Sequence, residues 1–391
     1  MNKQFIKERF DSNHQIISQY KSQNDSLFAG KLGLSYYHSL LHQIAGDEES
    51  ENKDISVEFL EEVLANFYAS KSTLLHATFT GGAAGLGYTI CYLNKILDLD
   101  LDIENDLGDL DEYIFNSAVD LIGKDNLDCL HGAGGILFYF SERGHSEYLN
   151  QLVPLIIEKG IRSDHGIWFQ NIFMENSERG LANLSISHGM AGLLIILLKS
   201  APYLSPENLL SLKRTLEESI RFIDSYYSPP LETNQSNSFY PQMVNLEKNT
   251  HSYKGRLAWC YGDLGIILLF YQVGKFLNNN HLIERATEMG MQTLSRTSAI
   301  ASGISEPFFC HGSAGLSSFY YKLYLESGDE RYFSGMDFWM TKTVEYFNDD
   351  NISFTDSPHE VLDGLIGVNI SILEYLNKNT ASAAPCNIFF L

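Results

Sequence analysis

Hydrophobic and polar positions along the chain form two kinds of helical segment. The first kind is amphipathic, and one example carries apolar residues three or four positions apart at Leu209, Leu212, Leu216, Ile220 and Ile223. The second kind is apolar at every position, as in residues 193–198 and 266–270. Runs of this length are too short to span a bilayer, so they predict helices that are buried on all sides.

A Gly-x-x-Gly tetrapeptide separates the two kinds of segment and occurs seven times. Its copies begin at Gly30, Gly82, Gly132, Gly189, Gly262, Gly312 and Gly364, spaced 52, 50, 57, 73, 50 and 52 residues apart. This period is longer than that of most solenoid repeats. Each unit is predicted to be an outer amphipathic helix, a glycine turn and an inner buried helix. The glycines would let the chain reverse and the helix ends approach closely.

Seven helical hairpins cannot each bury their own apolar face, and a closed ring is the economical arrangement. We therefore predict an all-α fold, an α/α toroid whose inner helices line the centre, in one domain over residues 1–391. The gap of 73 residues between the fourth and fifth copies breaks the period. Residues 162–184 and 226–255 lack helical periodicity, which predicts excursions made of loops and short strands.

Composition and charge narrow the class of protein. Apolar residues make up 44% of the chain, which suffices for a large core, and the N-terminus lacks the apolar core of a signal peptide. The five cysteines, an odd number, indicate a reducing compartment. The net charge of −22 disfavours nucleic acid and anionic membranes as partners, although it permits a basic peptide substrate. We expect a cytoplasmic protein without membrane insertion.

Two cysteines and a histidine stand at equivalent points of the repeats. Cys260 lies two residues before Gly262, and Cys310 and His311 directly precede Gly312. Two thiolates and an imidazole form a zinc ligand set with one coordination position left open, which is typical of catalytic zinc. Cys260 alone could be a buried core cysteine. Its repeat relation to Cys310 and His311 favours a zinc site.

The same motifs resemble those of the LanC lanthionine synthetase cyclases, or lanthipeptide cyclases. Residues 259–262 read Trp-Cys-Tyr-Gly, and residues 310–315 read Cys-His-Gly-Ser-Ala-Gly. Residues 183–192 match Asn-Leu-Gly-x-x-His-Gly-x-x-Gly, with Ser185 in place of the glycine. The resemblance covers all seven repeats and implies that Cys260, Cys310 and His311 bind Zn²⁺. No kinase-like or dehydratase-like region precedes the repeats, so we expect a stand-alone class I cyclase.

The resemblance also implies a reaction. Such enzymes add a peptide cysteine thiol to dehydroalanine or dehydrobutyrine in the same dehydrated precursor, which forms a lanthionine or methyllanthionine thioether ring. The substrate thiol would take the open zinc position, where it loses its proton. His188 is the candidate general acid for the resulting enolate. Asp128 would orient His188 or hold it protonated, and Arg256 would stabilise the enolate charge.

Each of these roles has a structural alternative. His188 could merely cap an inner helix. His131 stands at the analogous point of the third repeat and is a second candidate acid. Asp128 could be a helix-capping carboxylate. Arg256 could form an ion pair, and Tyr261 could either bond near the metal or only pack. Residues 384–391 at the C-terminus are expected to pack or dock rather than to catalyse.

Two other functions remain open at this point. One is the addition of glutathione to dehydroamino acids in damaged proteins, and the other is a non-catalytic toroidal scaffold for a lanthipeptide synthetase complex. The complete ligand set argues against a scaffold, which needs no open zinc position. The expected partners are the leader and core of a precursor peptide, a dehydratase and a transporter. We expect the excursions at 162–184 and 226–255 to hold the leader.

Overall fold

The computed structural model describes residues 3–45, 50–170, 179–230, 238–348, 358–378 and 385–391. The chain forms two compact units. The first unit comprises residues 1–114, 305–320 and 335–391, and the second comprises residues 115–304 and 321–334. Helices dominate the described residues, as predicted, and no helix among these residues is both long and apolar enough to cross a membrane.

The helices of the described ranges include one inner helix in each repeat. In chain order they are α1 (Lys3–Gln19), α2 (Lys31–Ala45), α3 (Ser50–Tyr68), α4 (Ala83–Leu97), α5 (Ile103–Asp106), α6 (Gly108–Gly123), α7 (Ala133–Arg143), α8 (Ser146–Glu158), α9 (Met190–Lys199), α10 (Pro206–Asp224), α11 (Asp263–Leu277), α12 (Asn280–Thr293), α13 (Ala299–Ser302), α14 (Ser313–Ser327), α15 (Arg331–Tyr346) and α16 (Leu365–Asn377). The inner helices α2, α4, α7, α9, α11, α14 and α16 each begin directly after the first glycine of a Gly-x-x-Gly copy. The repeat therefore predicts the start of every inner helix.

The outer and inner helices differ in burial as their patterns predict. In α9 every residue from Met190 to Leu197 is buried. In α10 burial is confined to one face, which includes Leu212, Leu216 and Ile220. The start of α10 follows from its sequence, because the Ser205 side chain accepts a hydrogen bond from the Asn208 amide and proline occupies the first turn.

Five of the seven glycine turns share one backbone hydrogen bond. In these five the first amide of the inner helix donates to the carbonyl seven residues earlier, at 2.8–3.1 Å: Lys31 to Asn24, Ala83 to His76, Ala133 to Asn126, Ser313 to Glu306 and Leu365 to Pro358. The chain passes so close to the first glycine of a copy, such as Gly189, that a side chain there would not fit. A Cβ atom at Gly189 would collide with the Asn183 carbonyl, although the backbone at Gly189 is extended. The glycine is required for space rather than for a left-handed conformation.

Short strands occur in the second unit where the sequence predicts excursions. β1 (Ile161–Ser163) and β2 (Gly166–Trp168) form an antiparallel hairpin in which Ile161 pairs with Trp168. β3 (Leu181–Asn183), β4 (Met243–Asn245) and β5 (Thr250–His251) form an antiparallel sheet in the order β3-β4-β5. Residues 171–178 and 231–237 of the predicted excursions lie outside the described residues.

The first unit joins the N-terminal helix to the last inner helix. α1 packs against α16, and α16 also packs against α2. A buried amide pair marks this junction, where Asn13 Nδ2 donates to Asn369 Oδ1 at 3.0 Å and Asn369 Nδ2 donates to the Tyr37 hydroxyl at 3.0 Å. Satisfied buried amides of this kind fix the register of the helices that carry them.

Candidate functional site

The third and fourth glycine turns are joined by a carboxylate and an imidazole. Asp128 lies four residues before Gly132, and His188 directly precedes Gly189. Oδ2 of Asp128 is 2.8 Å from Nδ1 of His188. A carboxylate only accepts, so Nδ1 carries the hydrogen and Nε2 is the nitrogen through which His188 can exchange a proton. The structure thus brings two of the predicted catalytic residues into direct contact.

Asp128 is held in place by its own turn. Its Oδ1 atom accepts hydrogen bonds from the amides of Leu130 and His131, at 2.9 and 2.8 Å. The Asp128 side chain is fully buried, whereas 19% of the His188 side chain is exposed. The carboxylate therefore shapes the turn and orients the histidine at once. Its bonds within the turn therefore do not prevent Asp128 from also orienting His188.

His131 lies beside this pair. The rings of His131 and His188 stack with centroids 6.0 Å apart. Desolvation lowers the pKa of His131, and His188 lowers it further, while the Asp128 charge opposes them. A histidine whose neutral form is favoured is a poor proton donor at neutral pH. This argues against His131 as the acid and leaves His188 as the candidate.

The fourth and fifth turns are bonded to each other as well. The amide and the hydroxyl of Ser187 both donate to the Cys260 carbonyl, at 3.4 and 3.1 Å. Asn183 Nδ2 donates to the hydroxyl of Tyr261 at 3.3 Å. Desolvation raises the pKa of that phenol. These bonds fix the backbone of Cys260 next to the turn that carries His188.

The Ser185 side chain bonds to the backbone of His188. Its hydroxyl accepts a hydrogen bond from the His188 amide at 3.2 Å, and its own amide donates to Asn183 Oδ1 at 2.9 Å. The serine therefore supplies an acceptor inside the fourth turn that a glycine cannot supply. Sequence analysis treats this substitution only as a departure from the motif.

Cys260 and Arg256 occupy opposite ends of the fifth turn. Cys260 is buried, with 3% of its surface exposed, next to the fully packed Trp259. Arg256 is exposed, and it makes no ion pair within the described ranges. Gly262 has a φ of 135°, and a Cβ atom there would collide with the Arg256 carbonyl. This glycine is needed for conformation and for space.

The first unit carries the other two predicted metal ligands. Sγ of Cys310 lies 3.8 Å from Nε2 of the adjacent His311. The amides of Phe309 and Cys310 both donate to the Leu362 carbonyl, at 3.1 and 3.0 Å. The sixth turn is therefore fixed against the seventh. This arrangement points both soft donor atoms to one side of the turn.

Asp363, in the seventh turn, is a residue that sequence analysis misses. Its Oδ1 atom is 3.4 Å from Nδ1 of His311. A carboxylate on one ring nitrogen orients the other nitrogen toward a metal and raises its basicity. The available signal was the repeat itself, because Asp363 precedes Gly364 just as His311 precedes Gly312.

A buried ion pair below the fifth turn was also missed. Asp263 Oδ2 is 3.0 Å from a guanidinium nitrogen of Arg296, and Asp263 Oδ1 accepts the amides of Phe239 and Tyr240. The same guanidinium donates to the Gly255 carbonyl at 3.0 Å. Burial raises the pKa of Asp263 to about 6, against the influence of the arginine. A carboxylate at the head of an otherwise apolar helix was the available signal.

Comparisons with known proteins identify the family and the fold of the chain. A family model described as lanthionine synthetase C-like protein matches residues 21–388. The nisin biosynthesis protein NisC of Lactococcus lactis subsp. lactis is 25% identical over 346 residues, which are 81% of this chain and 79% of that protein. The solved structure of nisin cyclase matches with a TM-score of 0.72 and 18% identity, over 98% of this chain and 96% of that one. The structural match confirms the predicted α/α toroid class.

Proposed function

Because the chain belongs to the lanthionine synthetase C-like family, we propose that it closes thioether rings in a dehydrated precursor peptide by a zinc-dependent reaction. The chain is a lanthionine synthetase cyclase, in line with its similarity to NisC and nisin cyclase. The observation that carries the finer proposal is the bonded Asp128–His188 pair beside the turn of Cys260. An acid and a metal ligand on adjoining turns suit the addition of a thiol to an activated alkene.

The proposed ligands of zinc are Cys260, Cys310 and His311. Among the described residues these three form the group that could hold a metal ion. Two thiolates and an imidazole suit Zn²⁺, and they leave one position for a substrate atom. The Asp363 carboxylate on Nδ1 of His311 is the supporting contact that zinc-binding histidines ordinarily have. Zn²⁺ bound there would keep a substrate thiol, with a free pKa of about 8.5, deprotonated near neutral pH.

The protein's own residues complete the addition. The substrate sulfur forms a bond to Cβ of the dehydroamino acid, and the π electrons move to the carbonyl oxygen as an enolate. Nε2 of His188 then gives a proton to Cα, which restores the carbonyl. Asp128 holds Nδ1 throughout and stabilises the imidazolium before it gives up the proton. The proton lost by the thiol balances the proton gained by carbon.

Arg256 is proposed to stabilise the enolate. Its guanidinium is exposed at the start of the same turn that ends in Cys260. A cation aimed at an oxygen that gains charge during the reaction lowers the barrier. Tyr261, whose hydroxyl bonds to Asn183, is assigned to packing and turn support.

The two alternative functions are not favoured. Glutathione addition would use the same zinc and acid, but the curated relative that matches is a nisin biosynthesis protein. A scaffold would not need the buried carboxylate that orients His188. Genuine glutathione addition would be recognised by consumption of glutathione with a dehydrated peptide that lacks cysteine.

The strand excursions are proposed to hold the leader of the precursor. β3 runs directly into the fourth turn, and the Leu184 amide donates to the Gln242 carbonyl at 2.9 Å. A cleft of about 610 Å³ lies beside these strands, with Trp168, Arg179 and Glu247 in its lining. A leader held there would raise the effective concentration of successive cysteines. A dehydratase and transporter complex, and a cytoplasmic location, remain predictions.

Point variants in the cleft test the leader site without disturbing Phe239 and Tyr240, whose amides bind Asp263. Arg179→Ala with Glu247→Ala should weaken leader-peptide binding in calorimetry without loss of helicity. Arg331→Ala, whose exposed guanidinium pairs with Asp329 at the start of α15, is the matched control. Unchanged affinity in the cleft variants would remove the leader from this cleft.

His188→Ala tests the acid directly. This variant should keep its zinc and lose ring closure, because metal binding and protonation are separate steps. His131→Ala is the matched control and should keep most of the activity. Ring closure by His188→Ala at the wild-type rate would withdraw His188, and loss of activity only in His131→Ala would transfer the role to His131.

A further inference from the structure

The C-terminal segment, residues 385–391, is buried in the first unit. Here the exposed fraction is 2% at Cys386, 0% at Ile388 and Phe389, and 9% at the terminal Leu391. The segment Pro-Cys-Asn-Ile-Phe-Phe-Leu carries no charged side chain. Its contribution is therefore one of packing rather than of acid–base chemistry.

Three inner helices of the first unit surround this segment. The Tyr36 hydroxyl of α2 donates to the Pro385 carbonyl at 3.1 Å. The Cys386 thiol donates to the Ser318 hydroxyl of α14 at 3.3 Å, and that hydroxyl donates to Ser371 of α16 at 3.0 Å. The segment is thus tied to the helices that follow the first, sixth and seventh turns.

The aromatic rings of this segment contact residues of three glycine turns. The Phe389 ring stacks on Phe309 with centroids 3.5 Å apart and an interplanar angle of 17°. Phe389 also meets the edge of Phe28, which precedes the first turn. Phe390 lies 6.0 Å from Phe79, which precedes the second turn. The stack of Phe389 on Phe309 joins the segment to the sixth turn.

Phe309 links this packing to a metal ligand. It directly precedes Cys310, and it is fully buried. On its other side it approaches the seventh turn, where a Cβ atom at Gly367 would lie 3.0 Å from Phe309 Cβ. The amides of Phe309 and Cys310 share the Leu362 carbonyl. The ring that Phe389 stacks on therefore belongs to the residue next to Cys310, in a stretch of backbone held by the Leu362 carbonyl.

We propose that Phe389 is a positioning residue for Cys310: the C-terminal segment clamps Phe309 and so keeps the sixth turn in the conformation that binds metal. This inference rests on the zinc site proposed above. A supporting shell of this kind decides how well the ligands of a metal site are organised before the metal arrives. The last residues of the chain would thereby control metal affinity without touching the metal.

The neighbouring phenylalanine provides a matched control. Phe389→Leu removes the ring that stacks on Phe309, whereas Phe390→Leu removes a buried ring of the same segment that lies beside Phe79. Zinc affinity is measured by competition with a chromophoric chelator, and ligand geometry by the visible spectrum of the cobalt-substituted protein. Phe389→Leu should lower zinc affinity at least about tenfold and alter the cobalt spectrum. Phe390→Leu should leave both unchanged despite a similar fall in Tm.

A second measurement needs no variant. Coupling between two sites is reciprocal, so a segment that favours metal binding must itself be stabilised by metal. Hydrogen–deuterium exchange of a peptide covering 385–391 should slow when zinc is restored to the metal-free protein. A peptide from α3, an outer helix of the same unit, is the control and should exchange equally in both states.

The outcomes separate this inference from the zinc site on which it rests. If the wild-type chain binds no zinc, the proposed zinc site fails. Phe389 has no positioning role if both leucine variants bind zinc as tightly as the wild-type chain does. The same conclusion follows if the exchange of residues 385–391 is unchanged by zinc. The proposal is supported if Phe390→Leu keeps the wild-type zinc affinity while Phe389→Leu loses it, and if zinc slows the exchange of residues 385–391.

Discussion

Replacement of Asp128 by asparagine should abolish most of the ring-closing activity without loss of the fold. Asparagine has the same shape, and its Oδ1 atom can still accept the Leu130 and His131 amides that shape the third turn. Its amide nitrogen would face Nδ1 of His188, where two donors repel each other. The imidazole must then present Nδ1 as an acceptor, so the variant loses both the orienting contact and the stabilised imidazolium.

The size of the effect follows from the distance between the two groups. Opposite charges at the 2.8 Å that separates Asp128 Oδ2 from His188 Nδ1 attract by about 6 kcal/mol at an effective dielectric constant of about 20. His188 is 19% exposed, and solvent screening reduces this value. About 4 kcal/mol remains, which corresponds to about a thousandfold in rate.

Single-turnover assays with a dehydrated peptide would measure this loss, with unreacted thiols counted by alkylation and mass spectrometry. Asp125→Asn, in the same loop but paired with Lys159, is the matched control and should react at close to the wild-type rate. The double variant Asp128→Asn/His188→Ala should be no slower than His188→Ala, because both residues serve one step. A rate for Asp128→Asn within about threefold of wild type would refute the proposed role of the pair.

Three further predictions concern other parts of the chain. Asp363→Asn should lower zinc affinity about 10- to 100-fold in chelator competition, since it weakens the contact to Nδ1 of His311, and unchanged affinity would remove it from the site. Arg256→Ala should slow ring closure about 100-fold while zinc content stays constant, and a wild-type rate would leave Arg256 without a catalytic role. Burial lowers the pKa of His38 to about 4, so its contribution to stability is complete above pH 6.5 and is lost as the pH falls toward 4. Between pH 7 and pH 5, wild type should therefore lose about 2 kcal/mol more unfolding free energy than His38→Gln in urea titrations, and equal losses would contradict the assignment.

The hairpin architecture was predictable because its signals are local. Every inner helix begins after a glycine that the repeat identifies, and the apolar run behind that glycine reports burial on all sides. The start of α10 at Pro206 is similarly visible in the residues that cap it. Such features depend on neighbours within a few positions, so one sequence suffices to read them.

The supporting contacts of the site were not predictable in the same way. Asp363 reaches His311 across 52 residues, and Arg296 reaches Asp263 across 33. Each pair forms only after different elements have packed, so the repeat places Asp363 beside a glycine turn but does not show that its side chain reaches His311. Burial of the C-terminal segment is also invisible in its composition, because an apolar tail can pack on its own chain or on a partner. The proposed zinc ligands were predicted from their repeat position, whereas the contact between Asp363 and His311 required coordinates.

The central claim is tested most directly by the fate of thiols in a dehydrated peptide. The zinc-loaded protein is incubated with a peptide that contains dehydroalanine, dehydrobutyrine and free cysteines, and the products are alkylated and weighed. The present account predicts that alkylatable thiols disappear without a change in peptide mass, and that Cys310→Ala, which lacks one proposed zinc ligand, leaves them reactive. Thiols that stay alkylatable with the zinc-loaded wild-type protein, or that vanish equally with Cys310→Ala, would contradict a zinc-dependent cyclase.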